Sequence, residues 1–153
     1  MVHNMDAIQR ARIYKAIDFA RHKHEGQLDD CNEDYFTAHV LPVGRGVTAI
    51  VPHDTELIQA AFLHDTIEDT DTTYEEVVKE FGTDVADLVM EVTHEGKKDQ
   101  QGYYFPRLKT PRGILLKMID RASNLSRMSN WHEKRIAQYL RKSKFWRSEI
   151  PHI

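Results

Sequence analysis

The segment Leu63-His64-Asp65-Thr66-Ile67-Glu68-Asp69 sets an apolar run directly against four polar, metal-competent groups. Upstream, Leu57, Ala61, His64 and Glu68 follow steps of four, three and four, so a helix from about Glu56 to Glu68 would carry them on one face. Asp65 then sits about 100° around from His64, with Asp69 one turn beyond Asp65. An apolar stripe leading into a histidine and carboxylates is expensive to bury unpaired, at roughly several kcal/mol per charged group. A divalent cation removes that cost, because neutral imidazole and ionised carboxylate are both ligands. The competing reading is a helix end whose acids face water.

Two distant segments bear on that choice. His39 lies in Phe36-Thr37-Ala38-His39, beside apolar Val40, Leu41 and Val43. A single histidine there also reads as a hydrogen-bonded core or surface residue. Asp120 interrupts Ile114-Leu115-Leu116-Lys117-Met118-Ile119-Asp120, an otherwise apolar run, with Lys117 three residues before it and Asn124 four after it on the same helical face. Its alternative reading is a salt bridge to Lys117 or Arg121.

Bulk properties narrow the class. The chain has 153 residues, 41% hydrophobic and 29% charged, which fits one globular unit over residues 1–153. A formal net charge of −3 argues against non-specific nucleic-acid binding, which needs a basic face. A lone cysteine, Cys31, excludes an intrachain disulfide and points to a reducing, cytoplasmic setting. No apolar run reaches the length of a membrane span. The residues leave the oligomeric state open.

Helix is the default along the chain, because Gly and Pro are sparse and strand-like alternation is rare. A first helix is expected over Met5–His24, with Ile8, Ile13, Ala16, Ile17 and Ala20 as its apolar stripe. A second is expected over Tyr35–Ala49, made irregular by Pro42, Gly44 and Gly46. After the third, Thr72 or Thr73 caps a helix that Gly82 ends, and another runs over Thr83–Thr93. Glu95–Thr110 reads as a long polar loop. Helices from Pro111 to about Met128 and from Glu133 to Trp146 complete an all-α reading.

His39, then His64-Asp65, then Asp120, in that order on separate helices, resembles the HD-superfamily metal site. "LHDTIEDT", "FGTDVADLV" and "LKMIDRASNL", with "FARHKHEGQ" ahead of them, are similar to the RelA/SpoT-type (p)ppGpp hydrolase domain and the stand-alone alarmone hydrolases. The likeness runs from about Ala16 to Met128. It implies an HD-type helical bundle with a Mn²⁺ ion held between helices by His39, His64, Asp65 and Asp120. It implies that Glu68 and Asp69 orient or activate the attacking water, that Asn124 helps hold the nucleotide, and that Lys117 matches a lysine common at that position. Other divalent transition metals also suit mixed His/Asp ligands. The expected reaction is hydrolysis of the 3′-pyrophosphate of ppGpp. The alternatives are another nucleotide (a nucleoside monophosphate, a dNTP or the 2′-phosphate of NADPH), or a non-catalytic nucleotide sensor.

Two departures stand out. Leu28-Asp29-Asp30 follow Gln27 where the family carries basic residues, and Val40 replaces the proline after the metal histidine. Substitute cations are sought in Lys23, Arg45, Lys97, Lys98, Arg107 and Lys109. Lys23, Gln27, Tyr104 and Arg107 are the expected substrate contacts besides Lys117 and Asn124, with Tyr103, Tyr104 and Phe105 available to stack on a base. His24 reads as facing the site or as a surface or supporting residue. His22, His53, His94, His132 and His152 read as surface. Trp131, Phe145 and Trp146 read as core or interface.

Overall fold

The computed structural model describes residues 5–94 and 108–142. Eight α-helices follow one another: α1 (Ala7–Lys23), α2 (Leu41–Ile50), α3 (Thr55–Leu63), α4 (Thr66–Asp69), α5 (Tyr74–Phe81), α6 (Thr83–Val92), α7 (Pro111–Arg127) and α8 (Glu133–Lys142). No strand forms among the described residues; one isolated bridge pairs Leu28 with Asp34. The all-α expectation holds.

Local chemistry sets most boundaries. Asp6 and Gln9 cap α1 reciprocally, each side chain accepting from the other's backbone N–H at 2.7 and 3.0 Å. Asp54, Thr73 and Thr110 accept from the third residue beyond them and start α3, α5 and α7. Gly82 ends α5 and opens α6 at φ +91°, a conformation that side chains disfavour.

The bundle is organised around α3. It packs on α1, α2 and α6, while α7 closes against α2 and α6. Every residue from Leu57 to Leu63 is buried. Leu57, Ile58, Phe62 and Leu63 each contribute roughly 1.5–3 kcal/mol by burial, which anchors the helix that ends at the site. On α1 the core face is narrower than its sequence stripe: Ala16 and Ala20 are buried, Ile13 and Ile17 partly so, but Ile8 is 66% exposed. Ile8 precedes Ile13 by five residues and so points well away from it.

Two helices depart from the expected regular form. The third expected helix breaks at His64 and Asp65, giving α3 and the single turn α4. The second begins as a π-helical turn, Phe36–Val40, before α2 proper. Its Leu41 N–H reaches back to the carbonyl of Phe36, directly ahead of Pro42, which has no N–H to give to Ala38.

Gly44 of α2 lies under the ring of Phe62, and a Cβ there would collide with the ring itself. Gly44→Ala should therefore destabilise the protein by about 1–3 kcal/mol in urea unfolding, an overpacking penalty. An unchanged midpoint would mean that α2 and α3 are not locked together at this crossing.

Candidate metal centre and active site

His64 and Asp65 lie at the junction of α3 and α4, and both are buried. Adjacent on the chain and about 100° apart around the helix axis, they nonetheless converge, with His64 Nε2 2.9 Å from Asp65 Oδ2. The π turn delivers His39 from the facing helix, its Nε2 3.2 Å from His64 Nε2, 3.3 Å from Asp65 Oδ2 and 3.1 Å from Asp120 Oδ1. Asp120 arrives from the middle of α7. His39, His64 and Asp120 offer ligand atoms all within 4.8 Å of one another, and all are buried.

These residues fit a divalent cation. His64 Nδ1–H donates to the carbonyl of Ala61 at 2.9 Å, which leaves the lone pair of the neutral ring on Nε2, facing the cluster. His39 Nδ1 lies 3.2 Å from Ser123 Oγ, again directing Nε2 inward. The electrostatics also call for positive charge. Burial lowers the proton affinity of His39, but Asp120 and Asp65 outweigh it and push its pKa up to about 9. Burial likewise opposes protonation of His64, and Asp65 overcomes it. Burial would raise Asp65, yet His64 and His39 hold it well below the usual carboxylate range. Asp120 is held low against burial by Lys117 and His39.

Asp120 divides its two oxygens, so the expected salt bridge to Lys117 forms beside a contact with His39. Oδ1 faces His39, while Oδ2 accepts from Lys117 Nζ at 2.8 Å. Asn124 Nδ2 donates to Oδ1 at 3.0 Å.

Beside this cluster opens a cavity of about 570 Å³. Glu68 and Asp69 line it from α4. Burial, then the charge of Asp65, pushes the Glu68 carboxyl up to about 7, although the His94 N–H donates to it at 2.8 Å. Asp69 is raised by burial and by Asp65. Gln27 Nε2 reaches Asp69 at 3.4 Å, and Gln27 is itself held by His24 at 2.6 Å. His24 is buried and thus acts as a support, not as a surface group.

Several expected contacts lie elsewhere. Lys23 is taken by Asp71 and Glu76 at 3.0 and 3.1 Å and does not line the cavity. Arg45 is exposed and also absent from the wall. Tyr104 and Arg107, with Lys97, Lys98, Tyr103 and Phe105, fall outside the described residues, as do Phe145, Trp146 and His152. Conversely, the wall includes residues that the sequence reading assigned elsewhere or passed over. His94, expected on the surface, lines the cavity, as does Trp131. Tyr35 donates its hydroxyl to Asp65 Oδ2 at 2.6 Å and fixes that carboxylate. Asp29 and Asp30 do flank the cavity, but each is neutralised, by Arg127 at 2.7 Å and Arg135 at 2.9 Å. No local signal marks these pairings, because their partners come from α7 and α8.

Comparison with known proteins agrees with this geometry. The HD domain family matches residues 16–144. The guanosine-3′,5′-bis(diphosphate) 3′-pyrophosphohydrolase MESH1 of Xenopus tropicalis is 34% identical, over 92% of this chain and 83% of its own length. Its counterpart in Mus musculus is 36% identical over 86% of this chain and 80% of its own. The guanosine-3′,5′-bis(diphosphate) 3′-pyrophosphohydrolase of Aquifex aeolicus (strain VF5) is 41% identical over 80% of this chain, which spans only 18% of that larger protein. A solved structure, described as a metazoan ortholog of SpoT that hydrolyzes ppGpp and plays a role in starvation responses, superposes with a TM-score of 0.73. It has 30% sequence identity and covers 88% of this chain and 83% of its own.

If the cluster holds a cation, ligand and fold stability are linked. Added Mn²⁺ at about 100 times its dissociation constant should stabilise the wild type by about 2.7 kcal/mol. Asp120→Ala should abolish that gain in thermal unfolding followed by circular dichroism. Equal Mn²⁺-induced shifts in both proteins would remove Asp120 from the site.

Proposed function

The chain belongs to the HD-domain family, and on that premise we propose that it hydrolyses guanosine 3′,5′-bis(diphosphate) at the 3′ position, releasing pyrophosphate and leaving GDP. The observation that carries this reading is the convergence of His39, His64 and Asp120 beside a cavity walled by Glu68 and Asp69, two carboxyls whose hold on a proton is raised by burial and by Asp65. His39, His64, Asp65 and Asp120 would hold a divalent ion, with Mn²⁺ well suited to the mixed nitrogen and oxygen donors. Such an ion polarises a phosphoryl oxygen and acidifies water.

The chain's own residues supply the rest. Glu68, titrating near 7, is deprotonated often enough at neutral pH to accept a proton from water and basic enough to want it. Water oxygen attacks the phosphorus attached to the 3′ oxygen; the bond from that phosphorus to the 3′ oxygen breaks, and the departing oxygen is protonated as the ribose hydroxyl re-forms. Asp69, steadied by Gln27, shares the orientation of the water. Tyr35 and Lys117 keep Asp65 and Asp120 aimed inward by a hydrogen bond and an ion pair. Asn124 sits at the cavity wall, where its amide meets the nucleotide. Residues 1–153 act as one catalytic unit, and Cys31 accords with a reducing, cytoplasmic setting.

Chelator-treated protein should release pyrophosphate from ppGpp only when Mn²⁺ is restored. Orthophosphate from other nucleotides, with no pyrophosphate from ppGpp, would assign the site to a different substrate. Glu68→Gln should lower kcat by about 10²–10⁴-fold while retaining its metal by elemental analysis. In wild type, kcat/KM should fall with decreasing pH as Glu68 protonates, with the midpoint at or below about 7, because a bound cation offsets Asp65. A Glu68→Gln profile that keeps this acid limb would transfer the base role to another group.

A further inference from the structure

The cavity has two electrically distinct ends. One is the acidic cluster just described. The other is walled by guanidinium groups: Arg121 and Arg127 from α7 and Arg135 from α8. We infer that these arginines form a second anion subsite, which takes the 5′-diphosphate of a nucleotide whose 3′-diphosphate lies at the metal end. This inference rests on the proposed function and identifies what holds the substrate's far arm.

The acidic residues at positions 29 and 30 are the key to it. Where the resembled family places cations, this chain has Asp29 and Asp30, and they recruit arginines from across the fold. Arg127 Nη1 donates to Asp29 Oδ2 at 2.7 Å, and Arg135 Nε donates to Asp30 Oδ2 at 2.9 Å. Each pairing cancels an acid that would otherwise repel an anion, and each fixes a long side chain in place. Arg135 engages Asp30 through Nε alone; its two terminal nitrogens have no protein partner among the described residues. Its guanidinium lies 4.8 Å from the ring centroid of Trp131 and 5.8 Å from that of Tyr139, so aromatic faces hold it without consuming its donors. Arg127 gives Nη1 to Asp29 and Nη2 to Asn124, and its buried Nε has no partner among the described residues, so it brings charge to the wall more than open donors. Arg121, which lines the cavity 5.0 Å from the Tyr139 ring centroid, adds a third guanidinium.

The separation suits a substrate with two charged arms. Asp120 and Arg127 are seven residues apart on α7, or about 10 Å along the axis. A ribose carrying a diphosphate on each of two hydroxyls bridges such a span; a nucleotide with one charged arm leaves one end unused. Guanidinium is suited to the task, because its forked donors match phosphate oxygens.

Arg135→Gln is the decisive variant, since Arg135 is partly exposed and its loss leaves only the half-exposed Asp30 unpaired. The variant should raise KM for ppGpp about tenfold, the loss of one charge-assisted contact. It should leave KM for guanosine 3′-diphosphate, which lacks the 5′ arm, within about twofold. Turnover of that shorter substrate also reports that the variant is folded. Calorimetric titration of chelator-treated protein with GDP should show affinity reduced about tenfold in Arg135→Gln. Equal damage with both substrates, or unchanged GDP affinity, would overturn the subsite. Should wild type release no pyrophosphate from ppGpp, the proposed function fails, and the GDP titration alone still decides whether the arginine wall binds a diphosphate.

Discussion

His39, His64 and Asp120 converge in a buried space a few ångströms across, with Asp65 against both imidazoles, between the π turn, the α3–α4 junction and α7. Such a concentration of charge in a low-dielectric interior is tolerated only when every member has an opposite or a hydrogen-bonding partner. Here each one does: Asp65 has Tyr35 and both histidines, Asp120 has Lys117, Asn124 and His39, and each imidazole has an outer acceptor or hydroxyl. The surrounding helices are arranged to make this possible. Seven consecutive buried residues of α3 anchor the end that carries His64 and Asp65, and the Gly44–Phe62 contact sets α2 close enough for His39 to meet them.

The same requirement explains the two irregular helices. The junction of α3 and α4 falls at His64 and Asp65, and a regular start to α2 would have required an N–H that Pro42 lacks. Both departures sit at metal-competent residues, where backbone geometry is shaped by the site as much as by helix propensity.

Much of this was legible in the sequence. Helix boundaries followed from Thr73, Gly82 and Pro111, whose effects act over three or four residues. The cluster of His39, His64, Asp65 and Asp120 was legible because few residue types bind metal, and their order along the chain carries a family likeness. The helix break was not, because no glycine or proline marks it. Nor was the arginine wall. Asp29 and Arg127 are 98 residues apart, and nothing near Asp29 shows that its charge will be cancelled. Read alone, Asp29-Asp30 spoke against an anionic substrate; in the folded chain they hold the cations that would bind one. His94 was misplaced for a related reason: it enters the site chiefly because its backbone N–H meets Glu68, a contact with no side-chain signature.

The two ends of the cavity are joined by a continuous line of hydrogen bonds. Asp120 Oδ1 accepts from Asn124 Nδ2, Asn124 Oδ1 accepts from Arg127 Nη2, and Arg127 Nη1 donates to Asp29. Asn124 is thus held at both ends of its amide, which fixes its orientation and leaves its second Nδ2 hydrogen for a ligand. This line lies along one face of α7, so the helix acts as a rigid ruler between the acidic cluster and the guanidinium wall. A substrate arm drawn to Arg127 and Arg135 is therefore placed at a set distance from Asp120 and, across the cavity, from Glu68. Positioning of this kind contributes to catalysis by holding the reacting phosphorus where the water is, and its precision derives from secondary structure and not from a loop. On the proposed reading, arginines on α7 and α8 would stand in for a local basic pair as the groups that grip the nucleotide, and the residues of the metal end would keep their roles.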